Sequence, residues 1–145
     1  MTANLAASIH ARLLTRAKGR GEEFNLTLTR YGVERFLYRL SVTAARDRYW
    51  LKGALLFDLW FDVPHRPTRD ADFLGFGPPD VESLRSELVE VCKVDAGDGM
   101  VFDPDSIAIE EIREDARYGG LRVRLTGRLG NARCHVQLDI GYGDL

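Results

Sequence analysis

The chain has 145 residues, 45% of them hydrophobic and 29% charged, and a formal net charge of -2 at pH 7. That length suits a single domain with a core of its own, and the near-neutral charge excludes a protein-wide electrostatic grip on nucleic acid while leaving room for a local basic patch. No apolar run reaches the ~18 residues of a membrane span, and "MTANLAASIHARLL" lacks the apolar core and cleavage site of a secretory leader, so a cytoplasmic protein without membrane contact is expected.

Leu5, Ile9, Leu13 and Ala17 recur every four residues, which predicts a helix over 4–17. "KGRGEE", 18–23, is a polar break with two glycines. Val33, Phe36, Leu37, Leu40 and Ala44 share one helical face, which predicts a second helix over 30–46. "RYWLKG", 48–53, reads as a strand stopped by Gly53, and "ALLFDLWFD", 54–62, as a buried helix in which Phe57, Trp60 and Phe61 are core. "VPHRPT" is a loop, because its two prolines forbid regular pairing. "DADFLGF", 70–76, reads as a strand. Asp80 is placed to cap a helix carrying Val81, Leu84, Leu88 and Val91. "DAGDGMVFDPDS" is rich in Gly, Asp and Pro and reads as a loop. Three strands follow: "SIAIEEI", "GLRVRLTG" and "ARCHVQLDIGY". In the last two, Leu121, Val123 and Leu125, and then Ala132, Cys134, Val136, Leu138 and Ile140, alternate with polar residues. The order predicts an α+β domain with a mixed sheet that packs helices on one face and carries polar groups on the other. Cys92 and Cys134 have no CxxC partner and read as reduced thiols, so zinc is not expected.

Two carboxylates, Asp70 and Asp72, stand at the entry of the 70–76 strand. Spaced by two, they share a face. Asp139 lies on the polar side of a distant strand, and if the two strands are neighbours the three carboxylates converge. Hard oxygen donors so gathered suit Mg²⁺ or Mn²⁺, and such an ion would offset their mutual repulsion. The plainer readings are a solvated strand end for Asp70 and Asp72, and a cross-strand pair with Arg124 for Asp139. A second element is "LKGALL", 51–56, a strand, a glycine and a helix start. The first N–H groups of a helix favour phosphate, Gly53 permits close approach of the backbone, and Lys52, Arg66 and Arg69 add charge. Carboxylates that hold a metal beside a phosphate cradle are the apparatus of phosphoryl or nucleotidyl transfer.

Taken together, "LKGALLFDLW", "PHRPTRDADFLGFG", "FDPDSIAIEEIREDARYGGLRVRL" and "VQLDIGYGD" resemble the AbiEii/AbiGii family of nucleotidyltransferase toxins, within the DNA polymerase beta-like superfamily. The family's glycine signature is matched by Lys52, Gly53 and Ala54, its R-x-[ST]-x-D-x-D segment by Arg66, Thr68, Asp70 and Asp72, and its later strand carboxylate by Asp139. The resemblance implies a toxin of a bacterial toxin–antitoxin or abortive-infection system that transfers a nucleotide from an NTP, with Mg²⁺, to an acceptor such as tRNA. It implies Asp70 and Asp72 as metal ligands, Asp139 as a third that helps activate the acceptor hydroxyl, and Lys52, Gly53, Ala54, Arg66 and Thr68 at the nucleotide. It further implies an antitoxin partner and a helical second half beyond this N-terminal catalytic half, so that 1–46 form a helical segment and 47–145 the catalytic sheet. Self-association through the unfinished wall of the site is expected from the same argument. The other readings are a non-catalytic nucleotide-binding module that acts through a protein partner, and a metal-dependent nuclease.

Overall fold

A computed structural model describes residues 2–51, 70–76, 78–112 and 119–143, with the backbone alone at residues 2, 3, 50, 51, 70 and 71. The helix expected over 54–62 and the proline loop after it lie outside the described residues. The first helix, α1 (Thr2–Arg20), buries Ile9, Leu13 and Ala17 from the predicted stripe and ends at Gly21, whose φ of 65° carries the chain out of the helix.

The second helix, α2 (Phe24–Ser41), begins six residues before the predicted start and stops short of the predicted end. The expectation missed "FNLTLT", whose apolar residues alternate as in a strand. Tertiary burial overrides that pattern: Thr27 and Leu28 are both buried, and the Glu23 carbonyl accepts from the Leu26 and Thr27 N–H groups to start the helix. Residues expected in its last turn form instead a separate 3₁₀ turn, Ala44–Asp47. The third helix, α3 (Val81–Lys93), follows the prediction. The Asp80 side chain accepts from the backbone N–H of Glu82 and Ser83, as an N-cap should.

Among the described residues six strands form one sheet: β1 (Tyr49–Leu51), β2 (Asp70–Phe76), β3 (Met100–Phe102), β4 (Ala108–Ile112), β5 (Gly120–Leu129) and β6 (Ala132–Gly143). Their order is β1-β2-β6-β5-β3, with β4 beside the other half of β5. The sheet is mixed as expected, β2 and β6 running parallel and every other pair antiparallel. Strand β3 lies where the Gly-, Asp- and Pro-rich sequence predicts a loop. Its three residues are bracketed by glycines and a Pro-containing turn, but Met100 and Phe102 are buried while Val101 is exposed, a strand's alternation that is too short to stand out.

The core lies between the helices and one sheet face. Phe36, Val33 and Leu28 of α2 are buried in one cluster with Val123, Leu125, Val136 and Leu138, and the Phe36 and Phe102 rings pack edge to face at 5.1 Å. Gly32 lets α2 close on the sheet, because a Cβ there would stand 2.6 Å from the Cys134 sulfur. Gly32→Ala should therefore destabilise the fold. The overpacking cost of ~1–3 kcal/mol exceeds the ~1 kcal/mol gained in helix propensity. Adding Cys134→Ala should restore part of the loss, which a double-mutant cycle in urea unfolding measures.

Candidate functional site

The helices cover one face of the sheet, and the polar residues of β5 and β6 line the other. Register places the chemistry. Asp72 stands opposite Asp139 across the parallel β2–β6 ladder, and Asp70 opposite Gln137. Neighbouring strands lie ~4.8 Å apart, so two carboxylates from segments 67 residues apart in sequence become neighbours. Asp72 is exposed and Asp139 is buried, 8% exposed. On the far side of Asp139 stands Arg122 of β5.

Arg122 holds Asp139 in a two-pronged ion pair: Nε donates to Oδ1 at 2.8 Å and Nη2 to Oδ2 at 3.0 Å. The fork matches the carboxylate and is among the stronger side-chain pairings. This corrects the sequence-based pairing of Asp139 with Arg124. Arg124 lies opposite Gln137 instead, donates to its amide oxygen at 3.2 Å and bridges to Glu110 of β4 at 2.8 Å. Counting outward from the two-residue turn Gly130–Asn131 puts Arg122 opposite Asp139. Gly130 has φ 61°, the left-handed conformation such hairpin turns require. "GN" between two alternating segments was the signal, and Arg122 is the site residue that sequence reasoning passed over.

Of the residues singled out from sequence, Asp72 and Asp139 are brought together, and the backbone of Asp70 is on the same strand two residues before Asp72. Lys52, Gly53, Ala54, Arg66 and Thr68, and the side chain of Asp70, lie outside the described residues. Among the described residues no group of three metal-ligating side chains is assembled. The donor set nonetheless fits a hard divalent cation, which takes carboxylate oxygens and water, provided Arg122 yields at least one oxygen of Asp139. The two cysteines take no part. Burial pushes the Cys92 and Cys134 thiols up to about 11, which leaves them protonated and poorly nucleophilic at neutral pH.

Helices on one face of a mixed sheet and aligned carboxylates on the other define a nucleotidyltransferase-like α+β domain. Residues 35–145 match the family described as "Nucleotidyl transferase AbiEii toxin, Type IV TA system", and the chain belongs to that family. No curated protein matches the chain. No helix among the described residues is long and apolar enough to cross a membrane.

Proposed function

We propose that this nucleotidyltransferase toxin moves a nucleotide from an NTP to the hydroxyl of an RNA acceptor such as tRNA, and that an antitoxin restrains it. The observation that carries the reading is the register that lays Asp72 beside Asp139. In this reading Asp70, Asp72 and Asp139 hold Mg²⁺ or Mn²⁺, which when bound neutralises the phosphate charge. Asp139 takes the proton as the acceptor oxygen bonds to the α-phosphorus and pyrophosphate leaves. Lys52, Arg66, Thr68 and the Gly53–Ala54 backbone bind the triphosphate.

A second reading is a nucleotide-binding module that acts through a protein partner without turnover. It is favoured by the Arg122 fork, which occupies both oxygens of Asp139. Incubation of the chain with α-³²P-labelled NTPs, Mg²⁺ and total RNA decides between them. Label in RNA supports transfer. Retention of NTP on the protein with unlabelled RNA supports the binding module.

A further inference from the structure

The polar ladder of β5 and β6 continues away from the carboxylates. From Asp139·Arg122 the successive same-face pairs are Gln137·Arg124, His135·Thr126 and Arg133·Arg128. The last pair sets two exposed arginines directly opposite each other near the hairpin tip, and neither makes an ion pair among the described residues. Like charges so placed are destabilising unless an anion joins them. The chain as a whole holds 20 Lys and Arg against 22 Asp and Glu, so this run of cations is a local concentration.

Beside it lies a groove of about 530 Å³ whose polar lining is Arg124, Arg133, His135, Gln137 and, from α2, Asn25 and Thr29, with Cys134 and Val136 supplying the rest. Each of the six polar side chains offers a hydrogen-bond donor in at least one protonation or tautomeric state, and among the described residues no carboxylate lines the groove. Arg124 is bridged to Glu110, but both are more than half exposed, and such pairs are weak enough to exchange for a phosphate. The groove follows a length of β6 with an open edge among the described residues, because the ladder to β2 starts only at Gln137. A second depression beside Arg128 and Arg133 includes Asp103, which makes it the poorer anion site.

We propose that this groove and the Arg128–Arg133 pair bind the phosphate backbone of the RNA acceptor and lead its reactive end to Asp139. From Arg133 to Asp139 the strand runs six residues, ~20 Å, so the acceptor is gripped at a distance from the chemistry by contacts that read charge and not sequence. The inference rests on the transfer reading and names the acceptor's surface within it.

The test is fluorescence anisotropy of a labelled tRNA with the 145-residue chain at 50–200 mM salt. The parent should bind with a steep salt dependence. Arg128→Glu/Arg133→Glu should weaken binding ~10-fold or more and lower the salt slope by about 1–2. Arg128→Lys/Arg133→Lys should keep most of the affinity, and a thermal melt checks that each variant folds. Unchanged affinity in the charge-reversed variant overturns the proposal, as does a parent that binds no RNA at 50 mM salt. Displacement of the RNA by polyglutamate at equal charge also overturns it, because the occupant is then an acidic protein. Binding of Mg²⁺–NTP, measured in parallel, separates the two claims: its loss with RNA binding intact removes the transfer reading and leaves the RNA surface standing.

Discussion

Asp98→Ala should lower the stability of the chain by ~3–5 kcal/mol, the cost of removing one partner from a buried ion pair. The total for a domain is only ~5–15 kcal/mol, so the melting temperature should fall by roughly 10–15 °C. The reason is Arg39, which is 2% exposed inside α2. Its Nη1 and Nη2 each donate to an Asp98 oxygen at 2.8 Å, and its remaining N–H groups donate to the carbonyls of Val94, Arg35 and Met100. All its donors are satisfied, and its guanidinium lies 4.9 Å from the centre of the Phe102 ring. Arg35 Nε donates to the same carboxylate at 2.7 Å, and the Met100 N–H at 3.0 Å. The cluster ties α2 to the loop that leads into β3, the strand the sequence hid. Without Asp98 a buried guanidinium loses its counter-charge and two hydrogen bonds.

The same cluster has a pH signature. Burial alone would raise the Asp98 pKa, but the hydrogen bonds from Arg39 and Arg35 outweigh it and hold the carboxyl below its usual range. A carboxylate with a depressed native pKa stabilises the fold fully above its unfolded value of ~3.9, and that contribution is lost as pH falls through the lower native value. Urea unfolding should therefore find the parent losing stability below about pH 4. Asp98→Asn should be less stable at neutral pH and nearly flat across the same acid window. An acid limb as steep in Asp98→Asn as in the parent would assign the loss to other carboxylates.

Legibility in the sequence followed the length of each pattern. The strands over 120–129 and 132–143 were readable because their alternation runs for eight residues or more, and the face of Asp139 followed from it. The N-cap at Asp80 was readable because it is a local rule. Strand β3 was not, since three residues cannot establish a period. Nor was the start of α2, where burial against β6 outweighed a strand-like alternation. The partner of Asp139 fell between these cases: alternation leaves Arg122 and Arg124 equivalent, and only the length of the Gly130–Asn131 turn distinguishes them. The buried pairing of Arg39 with Asp98 joins residues 59 apart, a separation at which no local pattern operates.

Substitutions at the carboxylates and at Arg122 should act in opposite directions on metal binding, and this is the sharpest expectation for the site. Asp72→Ala and Asp139→Asn should each lower the rate of label transfer to RNA by ~10²–10³ or more, the scale seen when one charge-stabilising group is removed from a reacting centre. Both should also weaken Mn²⁺ binding, followed by the loss of the free-ion signal in electron paramagnetic resonance. Arg122→Gln should do the reverse. The Arg122 fork occupies both Asp139 oxygens, so a cation must compete with a guanidinium for the same lone pairs. Hydrogen bonds to charged groups contribute ~1.5–3 kcal/mol, and relief of that competition should tighten Mn²⁺ binding roughly tenfold or more. Transfer by Arg122→Gln should still fall, because the freed carboxylate loses the contact that fixes its rotamer, and positioning carries much of the catalysis in such reactions. Tighter metal binding with slower transfer would mark Arg122 as a positioning residue that yields one Asp139 oxygen to the metal and holds the other. If Arg122→Gln bound Mn²⁺ more weakly than the parent, the fork would instead be holding Asp139 in its ligating pose, and the competition between arginine and metal would be refuted.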